Sequence, residues 1–456
     1  MNLWHQIEQH PANQIAVIDD ESRKTYGSLR DDVASLIQSL PQQRQLILLL
    51  ADNSYQTLVR YLSCLASHHP VILIASNLPS ETIQQLVETY QPNLIFRPNQ
   101  VEPENNSSLI HQLADELAVM LTTSGSTGQA KLVRLSLKNI AANASSICRY
   151  LQMESSHLAM TALPFAYSYG LSVINSHLLC GAAIRFTNAT PMEKDFWQIL
   201  KSEPITQLTG VPYSYQMYEQ LRFRRQSFPH LKILTQAGGK LAPEMVALYA
   251  DWAKENDVRF FVMYGQTEAT ARMTYLPPQY LEKHPDSIGI PIPDGEMHIL
   301  DENGNPIDTP NVVGEFQYAG PNVMLGYAEN RRDLADAESL TSLQTGDLGY
   351  RNELGLLFVT GRLKRQIKLA GVRWQLDELE KLCAQKGWSV VCTGRDQLLR
   401  VVCLHEQEIQ EIRHFLHQTQ QLHPSLFQLK YMTEIPRTVA GKINFPALNQ
   451  LFELGE

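Results

Sequence analysis

The stretch from residue 46 to residue 74 decides the fold, and it reads LILLLADNSYQTLVRYLSCLASHHPVILI. Residues 46–50 form a continuous apolar run, which is typical of a strand that is buried on both faces. Residues 55–67 carry apolar side chains at helical spacing, and residues 71–74 are a second apolar run. Strand, helix and strand in this order predict a mostly parallel sheet with helices packed on its faces.

The same alternation continues on the C-terminal side of this stretch. It predicts a helix at 80–90 and further strands at 93–96, 118–121, 233–235 and 259–263. From about residue 288 the sequence changes to short β-rich runs separated by Gly, Pro and Asn, which predicts a small β-rich subdomain up to residue 360. The last part mixes strands with helices and predicts a small α+β unit, with strands at 389–392 and 399–404 and helices at 376–385 and 407–422.

The predicted fold class is therefore α/β, with a large N-terminal domain of packed α/β sheets plus a small β subdomain. A small mobile α+β lid is expected to follow at the C-terminus. We expect the N-terminal domain at residues 1–361 and the lid at residues 362–456. The boundary is marked by the charged run Arg362-Leu363-Lys364-Arg365, and short junctions of this kind can act as hinges.

Composition narrows the class of protein. The 456 residues are 44% hydrophobic and 19% charged, which is typical of a globular protein. Lys and Arg number 38 against 47 Asp and Glu, so the formal charge of -9 argues against a nucleic-acid binder. The apolar runs are too short to span a bilayer, and no basic segment followed by an apolar run marks a signal peptide. The six cysteines include no C-x-x-C pair, which favours reduced thiols and a cytoplasmic enzyme.

The strongest local motif is the loop TTSGSTGQAK at residues 122–131, directly after the predicted strand at 118–121. A loop of Gly, Ser and Thr after a strand can turn its amides and hydroxyls towards phosphate oxygens. The loop is not a Walker-type P-loop. Counting from Gly125, the second glycine of that pattern would fall on Ala130, and Leu132 follows the lysine.

Further motifs follow along the rest of the chain. They are Ala237-Gly238-Gly239, Tyr264-Gly265-Gln266-Thr267-Glu268, Thr345-Gly346-Asp347, Gly361-Arg362 with IKLAGVR at 367–373, and PRTVAGK at 436–442. With the loop at 122–131 they make the chain resemble the acyl-adenylate-forming (AMP-binding) superfamily. That superfamily comprises acyl- and aryl-CoA synthetases, nonribosomal peptide adenylation domains and luciferases. The chain is most similar to compact stand-alone acyl- or aryl-acid ligases.

The resemblance implies an ATP- and Mg²⁺-dependent ligase that converts a carboxylic acid to acyl-AMP and transfers the acyl group to a thiol. It assigns catalysis to Lys442, Glu268 and Thr267, with Glu268 holding Mg²⁺ and Lys442 bridging the attacking carboxylate and the α-phosphate. It assigns ATP binding to Thr122, Thr123, Ser124, Gly125, Ser126, Thr127, Gly128, Lys131, Gly238, Gly239, Tyr264, Gly265, Asp347 and Arg362. Of these, Tyr264 is expected near adenine, and Asp347 and Arg362 at the ribose.

The resemblance also implies that the lid rotates between the two half-reactions about Lys364, where many relatives have Asp. Rotation removes Lys442 and admits the thiol of CoA or of a phosphopantetheinyl acyl carrier protein. The short segment between the predicted strands at 389–392 and 399–404 favours a carrier protein, because many CoA ligases have a longer loop there.

The acid pocket is predicted at Tyr167, Ser168, Gly170, Val211, Gly239 and Gln266. Many relatives have His in place of Tyr167, which can also be a packing aromatic. Amino-acid-activating relatives place an Asp near Ser168 to pair with the substrate ammonium. Residues 161–187 contain no acidic side chain, so an aryl or short-to-medium acyl acid is favoured. A second carboxylate on the acid would call for an Arg or Lys that the sequence does not place.

Two alternatives stay open at this point. One is a stand-alone enzyme that adenylates an amino acid and loads it on a carrier protein. The other is a non-catalytic homologue that binds nucleotide, although Lys442, Glu268 and Asp347 are all present.

Overall fold

The structure is a computed structural model that describes residues 3–122, 131–370, 372–438 and 442–453. Its helices are α1 Leu3–Ile7, α2 Tyr26–Ser39, α3 Tyr55–Ala66, α4 Ser80–Tyr90, α5 Leu137–Leu151, α6 Ser168–Leu179, α7 Lys194–Ser202, α8 Pro212–Gln220, α9 Pro243–Glu255, α10 Leu376–Ala384, α11 Ile409–His414 and α12 Phe445–Glu453.

The strands that follow are numbered in chain order. They are β1 Ile15–Ile18, β2 Arg23–Thr25, β3 Ile47–Ala51, β4 Val71–Ala75, β5 Leu94–Phe96, β6 Glu104–Asn105, β7 Leu117–Thr122, β8 Leu132–Ser136, β9 Leu158–Thr161, β10 Ala183–Phe186, β11 Gln207–Gly210, β12 Ile233–Gln236, β13 Arg259–Tyr264, β14 Thr274–Leu276, β15 Ile290–Pro291, β16 Glu296–Leu300, β17 Gly314–Ala319, β18 Gly326–Ala328, β19 Ser342–Arg351, β20 Leu357–Arg362, β21 Gln366–Leu369, β22 Val372–Gln375, β23 Val390–Arg395, β24 Leu398–Cys403 and β25 Phe427–Tyr431.

The chain divides into two compact units. Among the described residues, the first unit takes in 3–122, 131–296 and 318–343, and the second takes in 297–317 and the part from 344 onwards. The sequence also predicts a boundary between residues 361 and 362, at which a C-terminal lid would rotate. This boundary and the mobility of the lid stay predictions.

Two sheets form the framework of the first unit. The seven-stranded sheet has the order β18-β8-β7-β4-β3-β5-β6, and the nine-stranded sheet has the order β15-β14-β13-β12-β11-β9-β10-β1-β2. Residues 46–75 form β3, α3 and β4, with β3 and β4 parallel and Ile47 opposite Val71. Leu48 and Leu50 of β3 are buried in one hydrophobic cluster with Ile72 and Ile74 of β4. The α/β prediction is confirmed.

Parallel pairing brings several chain segments to one edge of the nine-stranded sheet. β11, β12 and β13 are parallel neighbours, with Gly210 opposite Gln236 and Gln236 opposite Val262. Their carboxyl ends therefore lie at the same edge, where ligand sites of open α/β sheets are usually found. The segments that leave this edge begin at Val211, Ala237 and Gly265.

The second unit contains smaller sheets. Its four-stranded sheet has the order β16-β17-β19-β20, and β23, β24 and β25 form a three-stranded sheet. β23 and β24 are a hairpin in which Arg395 pairs with Leu398, so only Asp396 and Gln397 form the turn. The predicted small β subdomain corresponds to the four-stranded sheet, but it is not continuous in sequence, because β18 pairs with β8 in the first unit. The helix predicted at 407–422 is divided into α11 and a π-helical turn at Phe415–Thr419.

In the described part of the chain, no helix is both long enough and apolar enough to cross a membrane. The six cysteines carry free thiols.

Candidate active site

The Tyr264-Gly265-Gln266-Thr267-Glu268 segment forms a rigid turn at the end of β13. A Cβ added at Gly265 would lie 2.0 Å from the backbone oxygen of Ala271, so only glycine allows the chain to double back here. A 3₁₀ turn follows at Thr267–Ala269, and the amides of Ala269 and Ala271 donate to the carbonyl of Gln266. The backbone thus fixes where the Thr267 and Glu268 side chains leave the chain.

The Glu268 carboxylate is held by a tyrosine that the sequence analysis missed. Tyr327 on β18 donates its hydroxyl to Glu268 Oε1 at 2.8 Å. Lys131 Nζ lies 3.6 Å from the centre of the Tyr327 ring, within the range of a cation–π contact. Burial and the negative charge of Glu268 raise the pKa of Tyr327, which keeps the phenol a donor. Tyr327 belongs to none of the sequence motifs. It lies near Lys131 and Glu268 because β18 pairs with β8, a strand far away in the sequence.

Thr267 meets the predicted acid pocket at the start of α6. Its hydroxyl lies 3.1 Å from the hydroxyl of Ser168. The first turn of α6 packs closely on the preceding loop, since a Cβ added at Gly170 would lie 2.5 Å from the backbone oxygen of Pro164. The predicted phosphate contact and the predicted acid pocket are therefore adjacent in the first unit.

Tyr167 closes over the Ala237-Gly238-Gly239 turn. Gly238 has a φ of +85°, and a Cβ added there would lie 2.5 Å from the Tyr167 hydroxyl and 3.1 Å from Val211 Cγ1. The Gln236 side-chain amide donates to the carbonyl of Gly239 at 2.9 Å, which fixes the turn. Burial raises the pKa of Tyr167, so the phenol stays neutral against this turn.

Replacing Gly238 with alanine is expected to impair the pocket. The new methyl group would meet the Tyr167 hydroxyl, and the positive φ adds strain of order 1 kcal/mol. We expect a lower melting temperature and a raised KM for the acid in Gly238→Ala. The double variant Gly238→Ala/Tyr167→Phe also lacks the tyrosine hydroxyl. Its KM for the acid should therefore fall part of the way back to the wild-type value. Equal KM values for the wild type and Gly238→Ala would contradict this packing.

Arg272 is the second functional candidate that the sequence analysis missed. Its side chain is 1% exposed, its Nε donates to Ser172 Oγ at 3.2 Å, and its guanidinium lies 4.2 Å from the centre of the Tyr169 ring. The sequence carried one signal for it, because arginine is the one charged residue in the run ATARMTYL at 269–276.

Asp347 and Arg362 form an ion pair in the second unit. They face each other in the β19–β20 register, and Arg362 Nε lies 2.7 Å from Asp347 Oδ1. Asp347 is buried, whereas the Arg362 side chain is 59% exposed. The hydroxyl of Thr345 accepts from the Asp347 amide at 3.1 Å and so orders the T-G-D turn.

Asp347→Asn is expected to raise the KM for ATP by about tenfold or more, because hydrogen bonds to a charged group contribute about 1.5–3 kcal/mol. Steady-state kinetics with varied ATP measure this, and Asp308→Asn is the matched control because Asp308 is exposed in the same unit. An unchanged KM for ATP in Asp347→Asn would remove Asp347 from the nucleotide site.

Lys442 pairs with Thr438 in the second unit. The Thr438 amide donates to the Lys442 carbonyl at 2.7 Å, and the Lys442 amide donates to the Thr438 hydroxyl at 3.3 Å. The bridge between Arg437 and Ile443 lies next to this pair. Lys442 is half-buried, and α12 begins shortly after it.

The structure brings together part of the predicted site. Within the first unit it gathers Lys131, Tyr167, Ser168, Gly238, Gly239, Val211, Thr267 and Glu268, and within the second it pairs Asp347 with Arg362. Thr122 ends β7, opposite Leu132. The predictions at Thr123, Ser124, Gly125, Ser126, Thr127 and Gly128 lie outside the described residues, as does the side chain of Lys364.

Among the described residues no cluster of three His, Cys, Asp or Glu side chains could hold a metal by itself. A single carboxylate fits the role predicted for Glu268, since Mg²⁺ in phosphate-transfer sites is commonly held by one or two carboxylates plus phosphate oxygens. A pocket of about 320 Å³ elsewhere in the first unit is lined by Arg44, His68 and Lys138 and contains none of the predicted residues.

Comparison with known proteins matches residues 3–114 and 97–328 to the family described as AMP-binding enzyme. The D-alanine–D-alanyl carrier protein ligase of Bacillus cereus (strain B4264) is 24% identical over 97% of this chain and 98% of its own length. The fold is similar to that of o-succinylbenzoate CoA synthetase from Bacillus subtilis, with a TM-score of 0.79 at 18% identity, covering 99% of this chain and 97% of that one. It is also similar to the anthranilate CoA ligase AuaEII, with a TM-score of 0.78 at 16% identity over 100% and 98% of the two chains.

Proposed function

Since the chain belongs to the AMP-binding enzyme family, we propose that it is an ATP- and Mg²⁺-dependent acid–thiol ligase. It joins a carboxylic acid to AMP with release of pyrophosphate and then transfers the acyl group to a thiol. The relatives support the same pair of steps, because they include ligases named for a carrier protein and for CoA as acceptor.

The contact between Thr267 and Ser168 carries this proposal. In the first step an oxygen of the acid attacks the α-phosphorus of ATP, so the acid and the α-phosphate must lie side by side. The hydroxyls of Thr267 and Ser168 are 3.1 Å apart, and they belong to the predicted phosphate contact and the predicted acid pocket, respectively. Adjacent subsites for phosphate and acid are what an adenylation reaction requires.

Two anions approach each other in this step, and their repulsion must be offset. Mg²⁺, when bound, neutralises charge on the phosphate oxygens, and Glu268 is the residue that would hold it. Tyr327 orients the Glu268 carboxylate through their 2.8 Å hydrogen bond. Lys442 provides the positive charge between the attacking carboxylate and the α-phosphate, and pyrophosphate leaves as the new oxygen–phosphorus bond forms.

The remaining ATP contacts are assigned to the following residues. The loop at 122–131 would hold phosphate oxygens, with Lys131 positioned by the Tyr327 ring. Tyr264 at the end of β13 would lie against adenine. Asp347 would accept hydrogen bonds from the ribose hydroxyls, and its ion pair with Arg362 orients the carboxylate.

The acid is proposed to be an aryl or short-to-medium acyl acid. The described pocket residues are neutral, and no acidic side chain occurs between residues 161 and 187. A substrate ammonium would therefore lack a counter-charge there, and leaving a charge unpaired in a buried site costs several kcal/mol. Adenylation of an amino acid is the second candidate, because one relative is named for D-alanine.

The second step attaches the acyl group to a thiol of CoA or of a phosphopantetheinyl carrier protein. The thiol sulfur attacks the acyl carbon and AMP leaves, so no nucleophile from this chain is needed. The two-residue turn between β23 and β24 makes the lid compact, which supports a carrier protein as partner. Rotation about Lys364 between the steps belongs to the same proposal, and so does a cytoplasmic location, which the free thiols of the six cysteines support.

The proposal is tested by ATP–pyrophosphate exchange with Mg²⁺ across aryl, fatty, dicarboxylic and amino acids. We expect exchange with at least one non-amino acid, followed by thioester formation when CoA or a phosphopantetheinylated carrier protein is added. Exchange with amino acids alone would select the second candidate. No exchange with any acid, combined with measurable ATP binding, would favour a non-catalytic nucleotide-binding homologue.

A further inference from the structure

Three arginines are among the largest fully buried side chains of the described residues, and their partners differ. Arg134 forms an ion pair with Asp336 at 3.1 Å. Arg60 donates to two main-chain carbonyls in the segment that follows β5. Arg272 has neither an acidic partner nor a carbonyl among its described contacts.

The contacts of Arg272 are neutral groups. Its Nε donates to Ser172 Oγ at 3.2 Å, and its Nη1 donates to the Tyr150 hydroxyl at 3.3 Å and to the sulfur of Met263. The Tyr169 ring lies against the guanidinium at 4.2 Å. An arginine side chain stays protonated in proteins, so it cannot avoid burial of its charge by losing a proton. A buried charge without a counter-ion is strongly unfavourable, and an anion at this place would relieve it.

Arg272 lies next to the predicted acid pocket. Ser172, which accepts from it, lies one turn along α6 from Ser168, and Ser168 contacts Thr267. Tyr169, which covers it, follows directly after Tyr167 and Ser168 in the predicted pocket. Burial raises the pKa of Tyr167 and the charge of Arg272 offsets part of that rise, so the charge acts on the pocket. All of these residues belong to the first unit.

We propose that the acid carries a second carboxylate, and that Arg272 is the residue that recognises it. This inference rests on the proposed function, because it names the class of acid that the same enzyme adenylates. The carboxylate at one end of the substrate attacks the α-phosphate beside Thr267, while the carboxylate at the other end pairs with the Arg272 guanidinium. The same positive charge disfavours the ammonium of an amino acid.

The test is ATP–pyrophosphate exchange with dicarboxylic acids from malonic to suberic and with isophthalic acid, each compared with its monomethyl ester. The ester keeps the chain length and removes only the second charge. We expect the wild type to prefer one of the diacids over its ester by about tenfold or more in kcat/KM, as expected for a charge-assisted hydrogen bond. Arg272→Gln should abolish this preference while exchange with the ester persists, and Arg272→Lys should keep part of it.

Arg60→Gln is the matched control, because it also removes a buried guanidinium of the first unit. It should lower the melting temperature and leave the diacid preference intact. Wild-type preference for esters, monoacids or amino acids overturns the inference and leaves the proposed ligase reaction standing. An equal loss on diacid and ester in a folded Arg272→Gln does the same. Absence of exchange with every acid overturns the proposed function and the inference together. If Arg272→Gln does not fold, the wild-type comparison and Arg272→Lys still decide.

Discussion

Lys442→Ala is expected to reduce ATP–pyrophosphate exchange by about 10²–10³-fold, the size of effect seen when one preorganised electrostatic contact to a transition state is removed. The lysine is assigned to the point where the carboxylate and the α-phosphate meet, so its loss affects the chemical step more than the binding of either substrate. The pairing of Thr438 with Lys442 should survive, because it uses backbone groups and the Thr438 hydroxyl, which the substitution leaves in place.

A half-reaction assay separates this role from a structural one. Transfer of the acyl group from chemically prepared acyl-AMP to the thiol needs no charge between carboxylate and phosphate, so Lys442→Ala should keep that activity close to the wild-type level. Lys381→Ala, at an exposed position of α10 in the same unit, is the control and should keep both activities. Equal losses of exchange and transfer in Lys442→Ala would indicate a damaged unit instead of a catalytic lysine.

Part of the framework of the first unit could be predicted because several of its strands are largely apolar runs. The run at 46–50 corresponds to β3 Ile47–Ala51 and the run at 259–263 corresponds to β13 Arg259–Tyr264. Such strands are buried on both faces, so composition alone identifies them. β18 could not be found in this way. Its three residues, Gly326–Ala328, show no alternation, and only pairing with the distant strand β8 makes them a strand.

The residues of the candidate site also differ in whether a local sequence pattern points to them. Thr267, Glu268, Asp347 and Lys442 are carried by short motifs whose residues are neighbours in sequence, so the motifs point to them directly. Tyr327 and Arg272 act through contacts with segments far away in the chain, which no local pattern reports. Arginine is also usually exposed, so the run ATARMTYL marks Arg272 as its one charged residue but does not predict that packing against α6 buries it. The motifs therefore nominate residues for the adenylation chemistry, whereas no local pattern nominates a residue that would choose the acid.

Glu268→Gln is expected to lower kcat for adenylation by about 10²–10³-fold at ordinary Mg²⁺ concentrations and to raise the Mg²⁺ concentration needed for half-maximal rate. The amide keeps the length of the side chain and an oxygen that can accept from Tyr327, so the fold should be preserved. What is lost is the negative charge, and Mg²⁺ prefers charged carboxylate oxygens. Exchange rates measured over a Mg²⁺ titration, with the melting temperature recorded in parallel, give both quantities.

Two further variants decide whether Glu268 acts through the metal. Glu282→Gln removes the charge of an exposed glutamate in the same unit and should leave the Mg²⁺ titration unchanged. Tyr327→Phe keeps the carboxylate but removes its 2.8 Å hydrogen bond, so it should shift the titration in the same direction by a smaller amount. If Glu268→Gln instead lowered the rate equally at every Mg²⁺ concentration, the carboxylate would act on the substrates directly. The assignment of Glu268 as the Mg²⁺ ligand would then be wrong, because charge lost from a metal ligand must appear as a weaker affinity for the metal.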